Sequence, residues 1–391
     1  MVLASRIFVP EAAAATFRLR ALVGALASRA DVLVLTTEPP PSLRAGGADP
    51  DAGMPSRVEV RRWPALRDST GYVRGYLPYL SFDVPLLWRL LTSPRPDVVV
   101  VEPPPTTGAV TRVALALRSL RGRRVPYVYY AADVWSDATA SIGAPRPVVA
   151  VMRAVEAFAL RGARDVVAVS EGVAERVRAL TGSRARVAVV PNGIDTDVFT
   201  PDGLRHPDAP STPYLVYAGT ASEWQGAEIF AEALRAVLRD EPDVRLVFLG
   251  QGSSWPALQR VRDDLPAGAI ELRPLAPPAE AAAWQRGAAA AVVSVRPGLG
   301  YDFAYPTKVL AALACGTPVV FAGPGPAAAD LREHGLGDPV DYDPAAVASA
   351  MLRAVRGAPA EGAGRRVAWV REHRSLAATG RAAARIVLPA D

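Results

Sequence analysis

The chain has 391 residues, half of them hydrophobic and 21% charged, enough apolar material for two globular cores. A single cysteine, Cys315, excludes an internal disulfide framework and a Cys-rich metal centre, and three scattered histidines (His206, His334, His373) exclude a His-based one. The net charge of +5 is uneven: residues 1–200 hold 25 Arg against 18 acidic residues, whereas residues 201–391 hold 19 basic against 21 acidic ones, so the first half suits an acidic substrate or an anionic surface, or is simply a solvated charged face.

The apolar stretch Arg6-Ile7-Phe8-Val9 stops at Pro10-Glu11, too short for a signal-peptide core. No apolar run approaches the length of a membrane span, so a cytoplasmic location is expected. Onward from there, short β-branched runs alternate with Ala-rich segments of helical period. Strands are predicted at residues 5–9, 31–36, 97–102, 126–130, 165–170 and 186–190. A second set is predicted at 213–219, 244–250, 270–272, 289–295 and 318–322. Near-continuous apolar runs such as Val98-Val99-Val100-Val101 and Val166-Val167-Ala168-Val169 are those of a parallel sheet covered on both faces. Val173, Val177 and Leu180 mark a helix with Ser170 as its N-cap.

This alternation predicts an α/β fold of doubly wound sheets with right-handed crossovers. The turn signals Pro191-Asn192-Gly193 and Pro201-Asp202-Gly203, with a Pro-rich run to Pro213, mark a linker, after which the pattern restarts. The expected organisation is two Rossmann-like domains, 1–203 and 204–374, facing across a cleft, followed by a helical segment, 375–391. In open α/β sheets ligands bind beyond the carboxyl ends of the strands, so candidate residues are sought there.

In the first half, Thr16 and Arg18 follow the first strand, where they reach the cleft or, for Arg18, form a solvated helix face. Residues 61–79 mix Arg61, Arg62, Arg67 and Arg74 with Trp63, Tyr72, Tyr76 and Tyr79, a composition that fits either a lipid interface or an acceptor-side loop. Asp133 follows the strand ending at Tyr130 and reads equally as a functional carboxylate or as a helix N-cap. In the second half, Gly219 and Thr220 directly follow a strand and present backbone N–H groups to a pyrophosphate, or merely turn the chain. Gly250-Gln251-Gly252 is a fragment of a Gly-rich loop without the rest of a dinucleotide fingerprint, which argues against a dehydrogenase. Asp195-Thr196-Asp197 and Asp341-Tyr342-Asp343 lie in loops and are not read as metal sites.

The strongest signal runs from Tyr305-Pro306-Thr307-Lys308 to Val320. Pro306 suits the first helical position, Leu310, Leu313 and Ala314 share an apolar face, and Gly316 suits the end of the helix. Of 44 basic residues, Lys308 is the only lysine. A cation in the first turn opposes the helix dipole unless an anion sits there too, and then ammonium and helix end act together. The alternative is a surface lysine on an ordinary helix.

These residues resemble glycosyltransferase family 4, whose fold is GT-B. The resemblance covers nearly the whole chain: Val9-Pro10-Glu11, Ala168-Val169-Ser170-Glu171-Gly172, Val189-Val190-Pro191-Asn192-Gly193-Ile194-Asp195 with Phe199, Tyr217-Ala218-Gly219, and Pro306-Thr307-Lys308 through Val320. The Asp133-Val134-Trp135 loop, Gln225-Gly226 and Pro-Thr-Lys are further similar to the subgroup that builds surface polysaccharides from N-acetylated amino sugars. The resemblance implies a retaining, metal-independent transfer without a cofactor, from a nucleotide-diphosphate sugar to a glycan, lipid-linked or small-molecule acceptor. It places the donor diphosphate against the Gly219 loop and the Lys308 helix, with Thr220, Gly252, Arg296, Tyr305, Pro306 and Thr307 nearby. It places the acceptor in the first domain; Lys308 and Asp133 are the expected catalytic residues, with Thr16 and Arg18 on the acceptor or phosphate side.

The chain departs from the family where a ribose-gripping glutamate is replaced by Ala311 and the acidic position before it by Phe303, beside Asp302. Glu223 stands where the loop after Gly219 usually has an arginine, and Ala13-Ala14-Ala15 replaces a glycine pair. These departures motivate a second reading, a non-catalytic nucleotide-sugar binder or partner subunit. A nucleotide-sugar epimerase is a third, disfavoured by the lack of a catalytic histidine. Nucleic acid is not an expected partner, because the charge is diffuse and no such motif occurs.

Overall fold

The computed structural model describes residues 1–11, 13–44, 50–68, 73, 75–120, 122–141, 144–182, 185–358 and 360–389. The chain forms two compact units. Unit 1 comprises Met1–Asn192 and Leu376–Asp391, and unit 2 is Gly193–Ser375. The division falls at Asn192 rather than at the expected residue 203. The intervening segment belongs to unit 2 because Ile194 and Phe199 pack on its core and Ile194 N donates to Arg374 O at 2.8 Å.

Unit 1 is built on seven parallel strands: β1 (Val2–Ala4), β2 (Val32–Thr37), β3 (Val58–Trp63), β4 (Val99–Val101), β5 (Tyr127–Ala131), β6 (Asp165–Ala168) and β7 (Arg186–Val189). Their spatial order is β3-β2-β1-β4-β5-β6-β7. Unit 2 has six: β8 (Tyr214–Ala218), β9 (Arg245–Leu249), β10 (Ile270–Arg273), β11 (Ala290–Ser294), β12 (Val319–Ala322) and β13 (Gly337–Val340), ordered β10-β9-β8-β11-β12-β13. Both are doubly wound sheets of the expected class.

Period-two burial on both faces explains the apolar runs. Val99 and Val101 enter one core of unit 1, under helices Tyr76–Thr92, Pro105–Ser119 and Arg146–Gly162. Val98 and Val100 enter the other, under helices Ala14–Ala27 and Leu376–Val387. The chain's last helix thus belongs to unit 1. Ser170 caps helix Glu171–Thr181 by accepting from Val173 N at 3.2 Å, as its sequence position predicts.

Three strands differ from expectation. The first pairs over Val2–Ala4, not 5–9, because Ser5 Oγ accepts from Ile7 N and turns the chain, leaving Phe8 and Val9 to fill the core as loop residues. The edge strands β3 and β13 were not predicted: one alternates Glu59 and Arg61 with its apolar residues, and the other contains Gly337 and Pro339. Among the described residues no helix is long and apolar enough to cross a membrane.

Candidate active site

In unit 2 the strand order reverses between β8 and β11, the place where open α/β sheets present ligand sites. β8 runs straight into Gly219-Thr220. Helix Thr307–Ala314 begins beside it, with Pro306 as N-cap rather than first helical residue, since its ψ of 120° is still extended. A concavity of about 330 Å³ opens here, with Gly219, Thr220, Thr307 and Lys308 on its polar wall and Leu275 and Ala311 on its apolar one.

Lys308 is half-buried and Nζ donates to Thr220 O at 2.9 Å, 5.1 Å above the ring of Tyr217. Tyr217 Oη lies 2.9 Å from the same carbonyl. Among the described residues no carboxylate pairs with Nζ, and burial pushes its ammonium down to about 8. Gly219 has φ +120°, and a Cβ there would stand 3.2 Å from Lys308 Cε, so the lysine lies across a position only glycine fills without strain. The first N–H groups of the helix point the same way, as at any helix start.

Two glutamines border the site, Gln225 already singled out in the sequence and Gln285 not. Gln225 Oε1 accepts from Ser222 N at 3.1 Å and holds the loop after β8 in shape. Gln285 lines the concavity with Oε1 buried and without a hydrogen-bond partner among the described residues. Its only sequence cue is its place on a helix facing β8, which is no cue at all.

Other expected donor-side residues lie outside this wall. Gly252 packs against the Ala221 backbone in the neighbouring loop. Arg296 turns to Glu228, 3.4 Å away, and Tyr305 lies under the Arg374 guanidinium, 5.4 Å from its ring centroid, while Arg374 pairs with Asp330. Glu223 is exposed. Asp302 accepts from Gly298 N and Phe303 is exposed. Asp195 and Asp343 each accept backbone N–H groups of their own turns, Asp343 as a helix cap.

Unit 1 uses its own reversal point, between β1 and β4, differently. Arg18 is not a solvated residue: it is 6% exposed, ion-paired to Glu102, 3.1 Å from Asn192 Oδ1 and over the ring of Tyr130. Ser5 Oγ approaches Glu102 Oε2 at 3.1 Å from the other side. Thr16 is fully buried, and its Oγ1 accepts from Ala13 N and caps helix Ala14–Ala27.

Asp133 is exposed at the carboxyl end of β5 and is not the cap of the next helix. Glu156 takes that role, accepting from Trp135 N at 2.7 Å and Ser136 N at 3.0 Å. Within 61–79, Tyr72 and Arg74 lie outside the described residues. The other arginines are ion-paired, Arg61 to Glu59 on the exposed surface, and Arg62 to Asp51 and Arg67 to Glu11 in partly buried positions.

Two family models match the chain: that of a glycosyl transferase 4-like domain over residues 14–193, and that of glycosyl transferases group 1 over residues 212–356. The first ends where unit 1 gives way to unit 2. The D-inositol 3-phosphate glycosyltransferase of Xylanimonas cellulosilytica is 31% identical over 229 residues, 52% of this chain and 53% of that protein. The chain spans between about a third and about half of the length of the curated relatives it matches. The Anabaena protein HepE, solved with UDP and glucose, superposes with a TM-score of 0.67 at 17% identity over 100% of this chain and 99% of that one. A glycosyltransferase from Rickettsia africae gives 0.68 at 13% identity over 100% and 99%. At such identities these two show the shared fold.

Proposed function

Because the chain belongs to the family 4-like glycosyltransferases with the GT-B fold, we propose that it moves a hexose-type residue from a nucleotide-diphosphate sugar to a hydroxyl of a glycan, lipid-linked or small-molecule acceptor. The transfer is cytoplasmic, retains the anomeric configuration and needs no metal. The observation that carries this reading is Lys308, the sole lysine of the sequence, held over Gly219 at the reversal point of unit 2 with a carbonyl and the Tyr217 ring, and no carboxylate among the described residues, as partners. That HepE was solved with UDP and glucose agrees with such a donor.

In this scheme the donor diphosphate lies against Lys308, the Gly219-Thr220 loop and the start of helix Thr307–Ala314. The bond between the sugar C1 and the β-phosphate oxygen breaks, and the acceptor oxygen bonds to C1 on the same face. The acceptor proton passes to the departing phosphate oxygen. Charge grows on that phosphate as the bond breaks, so a fixed ammonium and free helix N–H groups stabilise the transition state more than the ground state. Asp133, exposed in unit 1, is the carboxylate proposed as catalytic beside Lys308.

The decisive experiment pairs a thermal-shift screen of nucleoside diphosphates and their sugars with turnover of the best donor. Ligand binding raises the melting midpoint by mass action, and the best stabiliser names the donor class. Turnover that persists in EDTA with the product in the donor's anomeric form fits the proposal, whereas inversion or loss of turnover in EDTA refutes it. A second reading, a non-catalytic nucleotide-sugar binder, is favoured by the methyl of Ala311 on the pocket wall. It predicts donor binding without product across an acceptor screen.

A further inference from the structure

A second concavity, about 630 Å³, belongs to unit 1 and opens at the amino ends of β5 and β6, at the end of the sheet opposite its reversal point. Helix Pro105–Ser119 contributes Arg112, the approach to β5 contributes Arg124, and the end of helix Arg146–Gly162 with the turn beyond it contributes Arg161 and Arg164. No aspartate or glutamate lines it among the described residues.

Three of these arginines meet no carboxylate among the described residues; Arg164 is ion-paired to Asp165. Arg112 donates to the Phe158 carbonyl, Arg161 to Leu180 O at 2.9 Å, and Arg164 to Ile386 O and Val387 O at 2.8 and 2.9 Å. Asp165, the adjoining carboxylate among the described residues, is shared between Arg164 at 2.6 Å and Arg186 at 3.4 Å. Arg124 is exposed and makes no hydrogen bond among the described residues. At Gly162 a Cβ would stand 2.5 Å from Arg112 Cδ and 2.6 Å from Tyr127 Oη, so the absence of a side chain there is what lets the Arg112 arm cross the pocket.

Like charges converge at such a place only at a cost, which an anion between them reverses, and planar guanidinium forks match phosphate oxygens two at a time. We propose that this pocket binds a phosphate-bearing anion, at a site separate from the donor pocket of unit 2. Its source is a soluble phosphate compound or the headgroup of an anionic lipid. The lipid alternative has a structural basis in the exposed apolar side chains beside the pocket, Leu117, Leu120 and Phe158.

The test titrates the full chain with inorganic pyrophosphate by calorimetry. Two binding events are expected, one lost in Lys308→Ala and the other weakened at least about tenfold in Arg124→Gln with Arg161→Gln. Both arginines are exposed, so the melting midpoint should hold, and Arg124→Gln alone provides a second variant that breaks no internal contact. The same double variant in the Lys308→Ala background isolates this site, so failure of the donor pocket and failure of this proposal read out separately. Vesicles of phosphatidylcholine with and without phosphatidic acid form the second arm. Sedimentation with the acidic vesicles that the double variant loses assigns a lipid source, and pyrophosphate binding alone assigns a soluble one. Pyrophosphate and vesicle binding both unchanged in the double variant, or neither seen in the wild type, would overturn the proposal.

Discussion

The two sheets share one strand order, reversing between β1 and β4 in unit 1 and between β8 and β11 in unit 2, yet a cation at each reversal point serves opposite ends. Arg18 meets Glu102 in the interior of unit 1 with Ser5 and Asn192 around them, so its charge is spent within the protein. Lys308 meets a backbone carbonyl and the face of Tyr217, so its charge is left over. Topology fixes where a ligand can sit; the partner of the local cation decides whether one does. A buried ion pair is a tie within the fold, and a half-buried ammonium with only dipoles for company is a place for an anion.

That contrast fails if the two cations can be exchanged in effect. Lys308→Ala should lower turnover by about 10²–10³-fold, the range seen when one transition-state donor is removed, with the melting midpoint nearly unchanged. Steady-state kinetics beside a thermal melt measures both, and near-normal turnover would end the assignment. Arg18→Ala should do the reverse. It strands Glu102, 3% exposed, without its partner, at a cost of about 3–5 kcal/mol to unit 1. Nucleotide affinity should not change. Converting Arg18 to Met together with Glu102 to Gln should restore most of the lost stability, because neither buried charge remains. A double variant as unstable as Arg18→Ala would show that packing, not charge, holds that site.

A smaller effect is expected at Gly219. An alanine there must adopt φ +120° and crowd Lys308 Cε at 3.2 Å, so Gly219→Ala should cost unit 2 about 1–3 kcal/mol and displace the ammonium. Nucleoside diphosphate affinity should fall about tenfold by calorimetry. Unchanged affinity would mean that the close approach of lysine and loop has no bearing on binding.

The same contrast explains what could be read in the sequence. Both sheets were legible because their central strands are buried on both faces and so read as unbroken apolar runs, as in Val98 to Val101 and Val166 to Val169. β3 and β13 were not, since an edge strand tolerates Arg61 or Pro339 and loses the pattern. That Lys308 and Gly219 lie together was legible from local context: a lone lysine in a first helical turn, and a glycine directly after a strand. Arg18 was not, because its meaning lies in Glu102, 84 residues away. Tyr305 misled for the same reason, its ring being claimed by Arg374 from a later helix. Asp133 was placed correctly at a strand end, but Glu156, 23 positions on, had already supplied the helix cap assigned to it.

Protonation offers the finest separation of the two cations. Burial holds the Lys308 ammonium down to about 8, so the unliganded protein loses this charge as pH rises through about 8. A bound diphosphate favours the charged form and moves the pKa back up, so binding takes up a proton in that range. Affinity for a nucleoside diphosphate should therefore be level near pH 7 and fall above about 8 by up to about tenfold per unit. Calorimetry in buffers of different ionisation enthalpy should register the proton uptake directly. Lys308→Arg should abolish both signals, because a guanidinium stays charged throughout this range. A slope that persists in Lys308→Arg would have to come from another group at the pocket, and the ammonium would then not be what holds the phosphate.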